Sequence, residues 1–126
     1  LEESMQNKLT ISFEEEKSPI LMHGPLAAFW LRKKFKCKDQ EIIDSVFFHT
    51  TGRPYMSQIE KVVFLADKVE PQKVERNPDL LKVLDACQYD LDLAIFKYLE
   101  MKIRQLLNQG VIIHPLAIEA RNFYMK

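Results

Sequence analysis

The chain has 126 residues, long enough for one domain with its own core. Lys+Arg and Asp+Glu both number 18, so the formal net charge is zero, which argues against a general nucleic-acid binder or a membrane-surface protein. Two cysteines, Cys37 and Cys87, lack C-x-x-C spacing and read as reduced thiols of a cytoplasmic protein, and no apolar run approaches a membrane span.

Residues 1–19 read as a polar lead-in, the tail of an upstream segment, because the chain opens on Leu1 and not on methionine. A short helix near Glu2 to Leu9 fits, Glu14, Glu15 and Glu16 read as a solvated face, and Pro19 closes the segment. Ile20 to Lys36 is the first unit. Gly24-Pro25 opens a helix, with Leu26, Phe29 and Trp30 facing inward. Arg32, Lys33, Lys34, Lys36 and Lys38 make its exit basic, as the helix dipole favours. His23 sits just before this helix, where the dipole keeps an imidazole neutral. A neutral imidazole suits a metal, and it equally suits the free N–H groups of the first turn.

Asp39 caps the next helix, which carries Ile42, Ile43, Val46, Phe47 and His49. Ile42, Val46 and His49 at i, i+4, i+7 predict His49 on the buried face. Thr50-Thr51-Gly52-Arg53-Pro54 breaks the helix. Thr50, Thr51 and Arg53 put two hydroxyls and a guanidinium beside His49, a set suited to phosphate oxygens or to an ordinary polar C-cap.

Ser57 and Glu60 have capping-box spacing. Ile59, Val62, Val63 and Ala66 form one apolar face, and Phe64 and Leu65 extend it, so this helix is expected to be buried nearly all round. Asp67 lies on its flank and needs a cation, a metal or several hydrogen bonds. His49 and Asp67 are placed to meet across one turn. A metal fits there, and so do a core histidine on a carbonyl and a capping aspartate. Gln72 to Asn77 reads as a loop carrying Lys73 and Arg76. Asn77-Pro78 restarts a helix with Leu80, Leu81 and Leu84 inward. Asp90 caps the longest helix, from about Leu91 to Asn108, and Gly110 stops it. Val111 to Pro115 reads as a buried connector, and a last helix runs to about Tyr124. The sum is an all-α bundle of about six helices.

Four stretches then stand out together: L-M-H-G-P-L-A-A, F-F-H-T-T-G-R-P, S-x-x-E-K-V-V-F-L-A-D-K-V-E-P and I-H-P-L-A-I-E-A-R-N. From about Pro19 to Tyr124 they resemble the YqeK family of HD-domain phosphohydrolases. The resemblance implies an HD-like helical bundle over 20–126, lacking its first helices. It implies a symmetrical dinucleoside tetraphosphatase that cleaves diadenosine tetraphosphate to two ADP on a two-metal centre described as iron. Residue by residue, it implies His23, His49 and Asp67 as metal ligands. Thr50, Arg53, Lys73 and Arg76 then stand as substrate-binding residues, with no catalytic side chain beyond the ligands. The family's first metal histidine and its His-Asp doublet have no counterpart, since the histidines are His23, His49 and His114. After Asp67 the chain reads E-P-Q-K-V-E-R-N-P where the family tends to read E-P-G-R-x-F-P-G, so Lys73 stands at an arginine position. The expected partners are a dinucleoside polyphosphate or another nucleotide, a homodimer mate and a missing N-terminal segment, with no nucleic acid and no membrane. Two other readings stand beside this one: a non-catalytic C-terminal module, as in a nucleotidyltransferase fusion, and an HD nucleotidase with a different substrate.

Overall fold

The structure, a computed structural model, describes residues 19–125. The lead-in before Pro19, with its expected short helix and acidic run, lies outside the described residues. A 3-10 turn, Pro19–Met22, leads into α1 (His23–Lys33), α2 (Gln40–Phe47), α3 (Gln58–Lys68), α4 (Pro71–Arg76), α5 (Leu80–Cys87), α6 (Leu91–Gln109) and α7 (Pro115–Tyr124). The described residues are thus all-α, with seven helices where the sequence reading has about six. The added one is α4, read as a loop. Glu70 accepts from the backbone N–H groups of Gln72 and Lys73, and Pro71 takes the first helical position.

Most helix ends follow from their local chemistry. Asp39 accepts from the N–H groups of Glu41 and Ile42, and Asp90 from that of Leu93. Ser57 and Glu60 form a complete capping box at α3. Gly110 closes α6 with φ at 68°, in the left-handed region that glycine enters without strain.

The helices pack as α1 on α2, α2 on α3, and α6 against α3, α5 and α7. Phe64 of α3, Val83 of α5, and Ile95 and Leu99 of α6 are its most completely buried large side chains. Arg121 of α7 pairs with Glu100 of α6, and the Tyr124 hydroxyl accepts from the Met56 N–H at 2.9 Å.

Several expectations about placement change, among them the inward facing of Leu81 and Leu84, which are exposed. His23 is the first residue of α1, not its predecessor. α2 stops at Phe47 and buries Ile43 and Ser45, while Ile42 is 42% exposed, so His49 lies in the turn after the helix rather than on an inward stripe. α3 is not buried all round. Glu60, Phe64, Leu65 and Lys68 are buried, whereas Ile59 and Val62 are about half exposed and Ala66 is exposed. Its inward stripe carries an acid at one end and a base at the other, because each meets a partner there. The connector after α6 is not buried either, since Val111 and Ile112 are exposed.

α1 approaches α2 with no room to spare. A Cβ added at Gly24 would sit 2.2 Å from the Phe47 carbonyl oxygen. The obstacle is backbone, so no side chain can swing away. Gly24→Ala is expected to push α1 off α2 and to cost about 1–3 kcal/mol or more. Calorimetry reads this as a lowered melting temperature, and an unchanged one would refute the close approach.

Candidate active-site cavity

Elements from along the whole described chain converge on one open cavity of about 470 Å³. α1 brings His23, the turn after α2 brings His49 and Thr50, and the end of α3 brings Asp67 and Lys68. α4 adds Lys73 and Arg76, and α6 adds Tyr98 and Lys102.

The His49 ring is fixed from behind. Its Nδ1 lies 2.7 Å from the Val46 carbonyl oxygen, and a carbonyl only accepts, so Nδ1 carries a proton. That leaves Nε2 with the Thr50 hydroxyl at 3.5 Å. An imidazole held this way presents the orientation seen when Nε2 is a metal ligand.

Asp67 is held by two lysines. Its Oδ2 accepts from Lys68 Nζ at 3.0 Å and its Oδ1 from Lys73 Nζ at 3.4 Å. Lys73 also donates to the Asp67 backbone carbonyl at 2.6 Å. Burial pushes the Asp67 carboxyl up, but the Lys68 bond and the two ammonium charges outweigh it and hold it below its ordinary value. It is therefore a carboxylate at neutral pH.

Lys68 is the residue sequence reasoning missed. Its ammonium donates to the His49 carbonyl at 2.6 Å as well as to Asp67. It lies 4.7 Å from the centre of the Phe64 ring and 5.8 Å from that of Tyr98. Burial lowers its pKa even with Asp67 opposing the shift. Burial also drives the Tyr98 phenol well above its usual range, so it stays protonated. The available signal was spacing: Glu60, Phe64 and Lys68 lie at i, i+4, i+8. Tyr98 and Lys102, four apart on α6, were equally unforeseen as lining.

Arg53 lies elsewhere. Its guanidinium donates to Glu60 through Nε at 2.9 Å and Nη2 at 2.6 Å, and reaches Asp44 at 3.4 Å. It covers the Phe48 ring and faces a second, separate cavity with Pro25, Phe29 and Phe47. Two carboxylates thus occupy the fork that the sequence reading offered to phosphate. Thr51 is buried, its hydroxyl donating to the Gly52 carbonyl. His114 caps α7 by accepting from the Leu116 N–H.

The donors suit a transition metal in kind: imidazole nitrogen and an ionised carboxylate. In number and closeness they do not close a site. Among the described residues, no three side chains of His, Cys, Asp or Glu come together to hold a metal ion. His23, His49 and Asp67 share a cavity without forming a cage. Among the described residues no helix is long and apolar enough to cross a membrane.

No protein-family model matches the chain. A symmetrical bis(5'-nucleosyl)-tetraphosphatase of Halalkalibacterium halodurans is 36% identical over 102 residues, 81% of this chain and 54% of that protein. A Staphylococcus aureus protein of the same name is 27% identical over 104 residues, 82% of this chain and 54% of its own length. A solved structure from Clostridium acetobutylicum, named a predicted HD superfamily hydrolase involved in NAD metabolism, superimposes with a TM-score of 0.87 at 28% identity. That match covers 98% of this chain and 64% of the other. The chain spans about half the length of the curated relatives it matches. In sequence the chain is similar to proteins named symmetrical bis(5'-nucleosyl)-tetraphosphatase, and in fold to a solved structure named a predicted HD superfamily hydrolase.

Proposed function

We propose that this chain is the nucleotide-facing part of a metal-dependent phosphohydrolase that cleaves diadenosine tetraphosphate to two ADP. One observation carries the reading: His23, His49 and Asp67 line the same cavity as the cations Arg76 and Lys102, which no carboxylate among the described residues pairs. A polyphosphate needs both kinds of group, donors for a metal and positive charge for its oxygens. Metal donors His49 and Asp67 come already oriented, one by the Val46 carbonyl and the other by Lys68 and Lys73. Arg76 and Lys73 neutralise phosphate, and Thr50 donates a hydroxyl beside them. Arg53 has the supporting task of bracing the turn that carries His49 and Thr50, through Glu60.

The remaining metal ligands come, in this reading, from a histidine and a His-Asp pair in a segment corresponding to the part of the relatives that this chain does not span. A bound metal would lower the pKa of water and polarise phosphoryl oxygens. Two ions, iron by preference, a homodimer and a cytoplasmic setting complete the proposal.

Metal loading tests it. Residues 1–126 exposed to ferrous iron and desalted are expected to retain less than about one ion per chain, and a protein that also carries the further ligands about two. Elemental analysis of both samples gives the answer, and light scattering on the same samples reads their oligomeric state. Dinuclear loading of residues 1–126 alone would overturn the shared-ligand reading.

A further inference from the structure

A third cavity, of about 330 Å³ and distinct from the one that Arg53 faces, adjoins the first. Its walls are aliphatic: Leu99, Ile103 and Leu106 of α6, Val111 and Ile112 of the connector, and Ala117 of α7. Thr50, Tyr98 and Lys102 line both cavities, so the two meet along one shared wall. We propose that this aliphatic cavity takes the nucleoside end of a nucleotide whose phosphates lie in the His49–Asp67 cavity. The inference rests on the phosphohydrolase reading above and adds where the base goes.

The connector supplies the first argument. Val111 is 49% exposed and Ile112 36% exposed, in a segment whose sequence reads as buried. Both are β-branched side chains that line this cavity. Apolar walls with a few polar groups at the edge are what a planar base requires, and the size falls within the range of small-ligand sites. Gln109 and His114 are the polar edge here.

Charge supplies the second. Lys68 and Lys73 are engaged by Asp67, whereas among the described residues no carboxylate pairs with Lys102. An unengaged ammonium at the junction of a polar and an apolar cavity suits the phosphate nearest a nucleoside. Thr50 follows His49 directly, so the path from the candidate metal ligand to the aliphatic walls is one residue long.

The test uses residues 1–126 with labelled methyl groups and backbone amides, and follows their spectra during titration with ADP and, separately, with inorganic pyrophosphate. ADP is expected to shift the methyl signals of Ile103, Leu106, Val111 and Ile112, while pyrophosphate leaves these unmoved and shifts backbone signals of Lys73, Arg76 and Lys102. If ADP moves only the signals that pyrophosphate moves, the base site is refuted and the phosphate site stands. If neither ligand moves any of them, both readings fall. A variant supplies the second readout. Ile112→Trp fills the cavity from an exposed position, so the core and its spectrum persist. It is expected to weaken ADP about tenfold and to leave pyrophosphate unchanged. Unchanged ADP affinity in that variant would overturn the proposal.

Discussion

Asp67→Asn is expected to reduce hydrolysis of diadenosine tetraphosphate by several orders of magnitude, in a protein that carries this chain with its full set of ligands. Asparagine keeps the shape and removes the charge that would balance a cation, and a metal centre supplies both the nucleophile and the electrostatic stabilisation. The same variant reports on the lysines. Asp67 is 44% exposed, but the Lys68 ammonium it accepts from is only 9% exposed. Removing the carboxylate leaves that ammonium with the His49 carbonyl and the Phe64 and Tyr98 rings but no counter-charge, so apo stability is expected to fall by about 1 kcal/mol, at the low end for a half-exposed pair. Turnover per folded molecule and apo melting temperature, taken together, separate the roles. Normal turnover with a lowered melting temperature would make Asp67 an anchor for Lys68 and end its assignment as a ligand.

The largest effect on stability is expected at Glu60. This side chain is 3% exposed and takes both Arg53 bonds, while its carboxylate also accepts from the Ser57 N–H in the capping box. Burial around the pair opposes the charge on Arg53, yet the Glu60 bond is the larger influence and raises the guanidinium pKa. Glu60→Ala leaves the Arg53 guanidinium with only its longer contact to Asp44, removes half of a helix cap and leaves a cavity. Breaking one side of a buried pair costs about 3–5 kcal/mol. Glu60→Gln keeps the shape and the cap and is expected to cost less. Denaturant unfolding followed by circular dichroism measures both, and a loss below about 1 kcal/mol for alanine would mean that water replaces the carboxylate without penalty.

Local rules were legible in the sequence, and non-local pairings were not. Asp39, Ser57 with Glu60, Asp90 and Gly110 act on backbone groups within a few residues of themselves, so their spacing alone marks the helix ends. The inward stripe of α3 was misassigned because counting apolar residues favours Ile59, Val62 and Ala66 over a stripe that begins at Glu60 and ends at Lys68. Those two are buried only because Arg53 and the pair of Asp67 and the His49 carbonyl come to meet them. Arg53 looked available for phosphate for the same reason, since its partners Asp44 and Glu60 lie on the helices either side of the turn. Asp67 looked like a lone buried carboxylate and is a half-exposed one between two lysines. The meeting of His23, His49 and Asp67 on one cavity was anticipated through motifs, while Tyr98 and Lys102 belong to a distant helix whose facing no local pattern reveals.

The Lys68 ammonium joins the turn after α2 to the end of α3 through one backbone carbonyl and one carboxylate. Folding therefore immobilises His49 and Asp67 before any cation or phosphate arrives. The conformational entropy of ordering these two groups is lost once, when the chain folds, and not again at each binding event. A group that enters this cavity meets side chains that the fold has already placed, so less of its binding free energy goes to ordering them.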